Sequence, residues 1–426
     1  MGKDTTDIEK LKQEKKAKKL EKKRLSQNKQ QTIQQQAQQP QPKPFQRSFH
    51  AIPNRKRLSK PSLGTFSIMS FNLLGQCLVK RKLFPDSGDM LKWKARRNMV
   101  SAELEMYNPD IMCLQEVDNY NEYYKPILEK LGYKAEYTKH IKKLHGLLIA
   151  YNPKIFKMIK YDTVDYDEAS IGAKTWITSN IGQVMALKHI DHPEFGIVIG
   201  NTHLYWRPTA TYERLRQSTI FINTIVNIQK SLQETELETQ WAPIPTGDFN
   251  TTPDDPGYIA VTTTEMTSEE EAQLEESRTN PGSFMTKTST TEDGEAKAED
   301  KAPAPEQDEG EKVDQEEGVT KDTMPTSELV SLIKQGAPEA WHSIYSCHGE
   351  IDPKVSIPCI GEPKFTNYTA AFKGTLDYMF LRNNETSLVA TEVLSMPPEE
   401  TVLPSLPNRN FGSDHMCLIS KFEFAV

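Results

Sequence analysis

From Thr65 onward the chain keeps returning to one pattern, a short apolar run that stops at a polar side chain. "TFSIMSFNLL" (65–74) reaches Asn72, "DIMCLQEVD" (110–118) reaches Glu116, and "FGIVIGNTHLYW" (195–206) reaches His203. "PIPTGDFNTTP" (243–253) presents Asp248 and Asn250, "GTLDYMFL" (374–381) carries Asp377, and "GSDHMCLISKFEF" (412–424) carries Asp414 and His415. Apolar runs of this length and alternation predict β-strands. Two amphipathic stretches predict helices: "LKWKARRNMVSAELEMYN" (91–108), stopped by Asn108 and Pro109, and "TYERLRQSTIFINTIVNIQKSLQ" (211–233). In the second, Leu215, Ile222, Ile225, Val226 and Leu232 fall near the core face. Short strands with fewer helices between them predict a mixed α/β body.

Two segments do not share this texture. Residues 1–60 carry 17 Lys/Arg against 5 Asp/Glu and pass through "QQTIQQQAQQPQPKP", so they read as a basic, solvated tail. Residues 265–322 carry 19 acids against 6 bases. The surrounding stretch, about 262–330, has almost no large apolar residues. It predicts a disordered acidic insertion within one folded domain spanning 61–426, because too little apolar surface is available to offset ordering entropy. With a net charge of −7 for the whole chain, attraction to nucleic acid must come from the tail or from a local patch on an acidic body. Five widely spaced cysteines without a CxxC pair argue against a disulfide framework and against a structural zinc site. No apolar run reaches transmembrane length, so no membrane partner is expected.

The strand-end residues limit the chemistry. Residues two apart on a strand share a face, so Asp248 and Asn250 are expected to address one small object. Carboxylates and amide oxygens without thiolates suit a hard cation, Mg²⁺ or, as a substitute, Mn²⁺. Two histidines with acid partners suit proton transfer and stabilisation of developing charge. No Gly-rich phosphate loop follows a strand and no GxSxG elbow is present. Metal-assisted hydrolysis of a phosphate ester is the simplest chemistry that uses the set.

"SFNLL", "LQEVD", "NTHLYWRP", "TGDFNTTP", "FTNY…FKGTLDYMF" and "FGSDHMCL" stand in the order of the endonuclease/exonuclease/phosphatase superfamily. The chain resembles its carbon-catabolite-repressor-type branch of deadenylases, nocturnins and yeast Ngl RNA exonucleases, over residues 65–426 apart from the insertion. The basic tail without leucine-rich repeats looks most like an Ngl protein. The resemblance implies a four-layer α-β-β-α sandwich of two mixed sheets. It implies Glu116 as the principal Mg²⁺ ligand with Asn72 and Asp414 beside it. Asp248 would orient and deprotonate the attacking water, and Asn250 would hold a phosphate oxygen. His415 paired with Asp377 would polarise the phosphate, and His203 matches the second active-site histidine. Pro208 and Phe372 match residues that sandwich an adenine, with Asn367 near the same nucleotide.

The activity this implies is Mg²⁺-dependent 3′→5′ exoribonuclease action on adenylate tails or on the 3′ ends of stable RNAs, ribosomal RNA included. A nocturnin-like dinucleotide phosphatase and an inactive RNA-binding factor are the alternatives. An inositol phosphatase is disfavoured, since "PTGDFN" stands where that branch has a "WRGDxN"-like word. Expected partners are RNA and, through the tail, the ribosome or its precursors. The basic clusters fit the nucleus, the nucleolus or the cytoplasm.

Overall fold

Strand alternation decides the architecture. The protein is described by a computed structural model covering residues 43–54, 58–281 and 322–426. Its first half contains β1 (Phe49–Ala51), β2 (Gly64–Asn72), α1 (Trp93–Tyr107), β3 (Ile111–Val117), α2 (Lys125–Leu131), β4 (Lys134–Thr138), β5 (Gly146–Tyr151), β6 (Phe156–Asp165), β7 (Ile181–His189) and β8 (Phe195–His203). There follow α3 (Thr211–Thr235), β9 (Gln240–Asp248), α4 (Pro256–Thr262), α5 (Ser268–Thr279), α6 (Thr326–Gly336) and β10 (Trp341–Ser343). The chain ends with β11 (Asn367–Tyr368), β12 (Lys373–Gly374), β13 (Asp377–Arg382), β14 (Leu388–Leu394) and β15 (Leu418–Phe424).

One sheet runs β1-β14-β15-β2-β3-β5-β4 and the other β10-β13-β9-β8-β7-β6. The parallel pairs, β2 with β3 and β8 with β9, are each joined through a helix, α1 and α3, as parallel strands require. Alternate residues of the two sheets meet in a shared core. Ile68, Cys113 and Ile149 from the first face Met185, Ile199, Ile244 and Met379 from the second. The intervening residues point outward. Met69 and Phe71 pack against Val100 and Leu104 of α1 and Leu128 of α2. Val184, Val198 and Trp241 pack against Ile222, Ile225 and Val226 of α3. The result is the expected four-layer sandwich. At Gly200 of β8 a side chain would meet Ile225 and Phe221 of α3 within 2.4–2.5 Å, so the absence of a Cβ lets the helix lie close on the sheet.

Two boundaries differ from the sequence reading. The folded unit begins at Pro44, not at 61. The Phe45 and Phe411 ring centroids are 6.0 Å apart, and β1 pairs with β14 at the sheet edge. Arg47 is buried and donates to the Cys417 carbonyl at 2.8 Å, with Glu103 at 3.5 Å. Counting charges assigned these residues to the tail because it could not distinguish a buried arginine from a solvated one. Residues 1–42 and 55–57 lie outside the described residues.

The acidic insertion is also narrower than 262–330. Thr267 and Glu270 form a reciprocal capping box that starts α5, and Leu274 of α5 is buried in the α3 cluster. On the far side, Leu329, Val330 and Ile333 of α6 join the same cluster. One well-placed leucine and a cap suffice where a helix docks on an existing surface. The middle of the expected disordered segment, 282–321, lies outside the described residues. Among the described residues no helix is long and apolar enough to cross a membrane.

Candidate active site

The inner faces turn polar at one end of the core. One alternation beyond Ile68, Cys113 and Ile199 stand Ser70, Gln115 and Asn201, all fully buried. The Gln115 amide donates to Asn201 Oδ1 at 2.8 Å and to Ser70 Oγ at 3.3 Å, and Asn201 reaches Gln183 at 3.3 Å. This neutral layer links the two sheets, since each buried amide has to find a partner. One alternation further come Asn72, His203 and Asp248. His203, Asp248 and Asp377 are direct neighbours across β8, β9 and β13, so their side chains share one face.

Across the gap, Asn72 Nδ2 donates to Asp248 Oδ2 and to Glu116 Oε1, both at 2.9 Å, joining the two sheets at the site. Glu116 follows inward-facing Gln115 and would point away on a regular strand. A register irregularity between Leu114 and Val117 and a φ of 54° turn it toward the site. There its Oε2 accepts the Gly75 N–H at 2.9 Å. Asp414 accepts from Asn367 at 3.3 Å and from the Ser413 hydroxyl at 3.4 Å. His415 Nδ1 lies 2.8 Å from Asp377 Oδ2, which also accepts the Thr366 hydroxyl at 2.6 Å. The other His415 nitrogen lies 3.8 Å from Asp248, and His203 Nε2 lies 3.6 Å from Asp248 and 3.9 Å from Glu116.

Eight of the eleven residues read from the sequence therefore converge here: Asn72, Glu116, His203, Asp248, Asn367, Asp377, Asp414 and His415. Asn250 sits differently from expectation. The strand stops at Asp248 and Asn250 adopts a left-handed φ of 49°, so the same-face argument ends two residues before it. Its backbone N–H caps Asp248 Oδ1 at 2.9 Å and its amide donates to the Leu204 carbonyl at 2.8 Å. That leaves one amide hydrogen for a ligand. Asn367 is buried and committed to Asp414, whereas Pro208 is exposed in the loop after β8. Phe372 lies at the tip of the β11–β12 hairpin, where its ring covers Gly374 yet stays 40% exposed.

Other residues hold the site together and gave no strand-end signal. Arg96 of α1, fully buried, donates to the carbonyls of Leu73 at 3.2 Å, Gly412 at 2.9 Å and Leu74, clamping the loops that follow β2 and precede β15. Its spacing from Met99, Val100 and Glu103 on the buried helix face is the signal that could have found it. Ser413 donates to the Asn72 carbonyl at 2.7 Å. Asn180 holds the His203 carbonyl at 2.6 Å.

The charges are set against one another. Burial and the neighbouring Asp377 push the Asp248 carboxyl up to about 7. Burial and Asp414 raise Glu116. Burial opposes charging of His415, but Asp377 and Asp248 overcome it and hold the imidazolium well above the usual histidine range. Burial, with His145 and Lys143 nearby, keeps His203 neutral. Glu116 and Asp414 offer hard carboxylate oxygens that suit a divalent cation, while Asn72 turns its amide nitrogen to Glu116 and Asp248 and its Oδ1 accepts the Leu74 N–H at 3.0 Å. Asp248, Asp377 and His415 lie close enough to ligate an ion together, their ligand atoms within 4.8 Å of one another. The 2.8 Å bond between His415 and Asp377 favours a proton-handling pair there.

Two sheets meeting at an end lined by carboxylates, amides and two histidines define a class of phosphate-ester hydrolases. Residues 69–415 match the endonuclease/exonuclease/phosphatase family, and the chain belongs to it. It is 28% identical over 418 residues to a probable RNA exonuclease of Schizosaccharomyces pombe, covering 89% of this chain and 80% of that one. It is 29% identical over 420 residues to RNA exonuclease NGL2 of Saccharomyces cerevisiae, covering 85% and 78%. Among solved structures, ANGEL2, a 2′,3′-cyclic phosphatase in complex with adenosine-2′,3′-vanadate, shares the fold. The TM-score is 0.62 at 21% identity, over 90% of this chain and 99% of that one.

Proposed function

We propose that this protein is a Mg²⁺-dependent 3′→5′ exoribonuclease that shortens adenylate tails or trims the 3′ ends of stable RNAs such as ribosomal RNA. The observation that carries the reading is the row of His203, Asp248 and Asp377 facing Asn72 and Glu116 across the sheet gap, closed by His415. The names of the fungal relatives support RNA as substrate, and the 3′→5′ direction rests on the likeness to deadenylases.

Glu116 and Asp414, with Asn72 beside them, would hold the Mg²⁺, which supplies charge stabilisation at phosphate oxygens when bound. Asp248 orients a water and takes its proton, and a carboxyl raised to about 7 is suited to that task near neutral pH. The water oxygen bonds to phosphorus while the bond to the 3′ oxygen breaks and that oxygen takes up a proton from solvent, releasing a 5′-mononucleotide and a shortened chain with a 3′-hydroxyl. His415, held protonated by Asp377, donates toward a phosphate oxygen where charge builds. His203, neutral, supplies a second donor on the Glu116 side. Phe372 and Pro208 would flank the terminal base, stacking on an aromatic ring being worth about 1–3 kcal/mol.

The test is a time course on 5′-labelled RNAs of equal length, with Mg²⁺ and with chelator, ending in oligo(A), in mixed sequence or in a stem with a short overhang. A Mg²⁺-dependent ladder that shortens from the 3′ end is expected. Failure to cleave any of the three by folded protein would overturn the proposal.

A further inference from the structure

The hairpin tip between β4 and β5 carries chemistry that the catalytic row does not use. Residues 139–145 read Lys-His-Ile-Lys-Lys-Leu-His, with no acid among them. The tip is built rather than loose. The Lys143 N–H bonds to the His140 carbonyl at 3.0 Å, closing a turn, and the Lys142 N–H bonds to His140 Nδ1 at 3.2 Å. The other His140 nitrogen lies 3.4 Å from Asp165, and Lys139 Nζ donates to the Lys143 carbonyl at 2.9 Å. This framework holds Ile141 89% exposed and Leu144 70% exposed, with Lys142 exposed between them. Across the hydrogen bond from Lys143 Nζ to Asn180, 3.1 Å long, a second loop exposes Ile177.

The position matters as much as the composition. His140, Lys143, His145 and Asn180 line an open cleft that ends at His203 of the catalytic row. The His145 and His203 rings are 6.2 Å apart. An apolar and basic rim thus leads into the site from solvent.

We infer that this tip is a docking ridge for a single-stranded RNA, engaging nucleotides beyond the one being cleaved. The inference rests on the exoribonuclease reading and extends it to substrate length. Charge complementarity argues for a polyanion, because three lysines within five residues stand on a body that is otherwise net acidic. Exposed aliphatic side chains beside them offer apolar surface to bases that are unpaired. Continuity with the catalytic cleft argues for the strand being hydrolysed over a lipid surface.

The experiment compares full-length wild type with Lys142→Glu/Leu144→Ser on single-stranded RNAs of about three and about twenty nucleotides that share a 3′ end. The variant is expected to lose at least about tenfold in kcat/KM on the longer RNA and less than about twofold on the shorter. Its salt dependence on the longer RNA should also be shallower. Lys142→Gln alone serves as the second variant, with thermal unfolding confirming that each remains folded. Equal loss on both RNAs, or no loss on either, would overturn the ridge. So would unchanged RNA hydrolysis with lost binding to phosphatidylserine vesicles, which would make the tip a membrane contact. If wild type degrades neither RNA, the exoribonuclease reading itself fails; if it degrades both equally well, that reading stands and the ridge does not.

Discussion

Asp377→Asn separates what the site does from what holds it together. Asp377 Oδ2 faces His415 Nδ1 at 2.8 Å and takes the Thr366 hydroxyl at 2.6 Å, while its Oδ1 is buried without a partner. The asparagine keeps the shape and removes the charge. A hydrogen bond to a charged group contributes about 1.5–3 kcal/mol. At about 1.4 kcal/mol per decade, its loss lowers kcat by roughly ten- to 150-fold if His415 works as an imidazolium in the transition state. Stability should fall by less than about 3–5 kcal/mol, the cost of an ordinary broken buried pair, because Asp248 still lies 3.8 Å from His415. Asp377 and Asp248 stand opposite one another in the ladder, both 1% exposed, so the substitution removes one of two buried like charges. Single-turnover hydrolysis of a 5′-labelled RNA and thermal unfolding, run on the same preparation, read both quantities. Thr366→Val is the control, removing a neutral donor worth about 1 kcal/mol and so costing about fivefold. An unchanged kcat would refute the pairing, and a fall in kcat that tracks a several-degree fall in Tm would make Asp377 a structural residue.

Glu116→Gln should weaken Mg²⁺ binding by at least about tenfold in a calorimetric titration, since a hard divalent cation loses its charged ligand; wild-type affinity would move the metal to another cluster. Removing residues 1–43 should leave the urea midpoint unchanged, whereas removing 1–60 takes Arg47 away from buried Glu103. Breaking such a pair costs about 3–5 kcal/mol, and equal midpoints for the two truncations would count against the Pro44 boundary. Buried Glu362, which accepts the Tyr258 hydroxyl at 2.8 Å, is pushed up to about 7 by burial. Its folded pKa lies above the unfolded value, so the fold binds the extra proton and this contribution to stability is present below about 4.5 and lost as pH rises to about 7. Glu362→Gln should remove a penalty of about 3 kcal/mol above pH 7 and leave stability at pH 4 nearly unchanged; parallel stability-versus-pH curves would contradict that.

Much of the site was legible because one period runs unbroken from core to chemistry. Ile68, Ser70 and Asn72 share a face of β2, as do Ile199, Asn201 and His203 on β8 and Ile244, Thr246 and Asp248 on β9, so placing the isoleucines inward also placed the polar ends together. Asn250 and Glu116 mark where that logic stops. Each has a left-handed backbone, at φ 49° and 54°, and alternation predicts neither where the strand releases the first nor how the bulge turns the second inward. Composition misplaced Arg47 and the edges of the insertion because burial of a few particular residues decides them. Gly247 joins the two kinds of evidence. Its φ is 141°, and a Cβ there would meet the Thr202 carbonyl oxygen at 2.2 Å. A side chain would force β9 away from β8 at the residue before Asp248, opening the 3.6 Å approach to His203. The glycine in "TGDFN" is therefore part of the site's geometry, since it lets the acid and the histidine stand side by side.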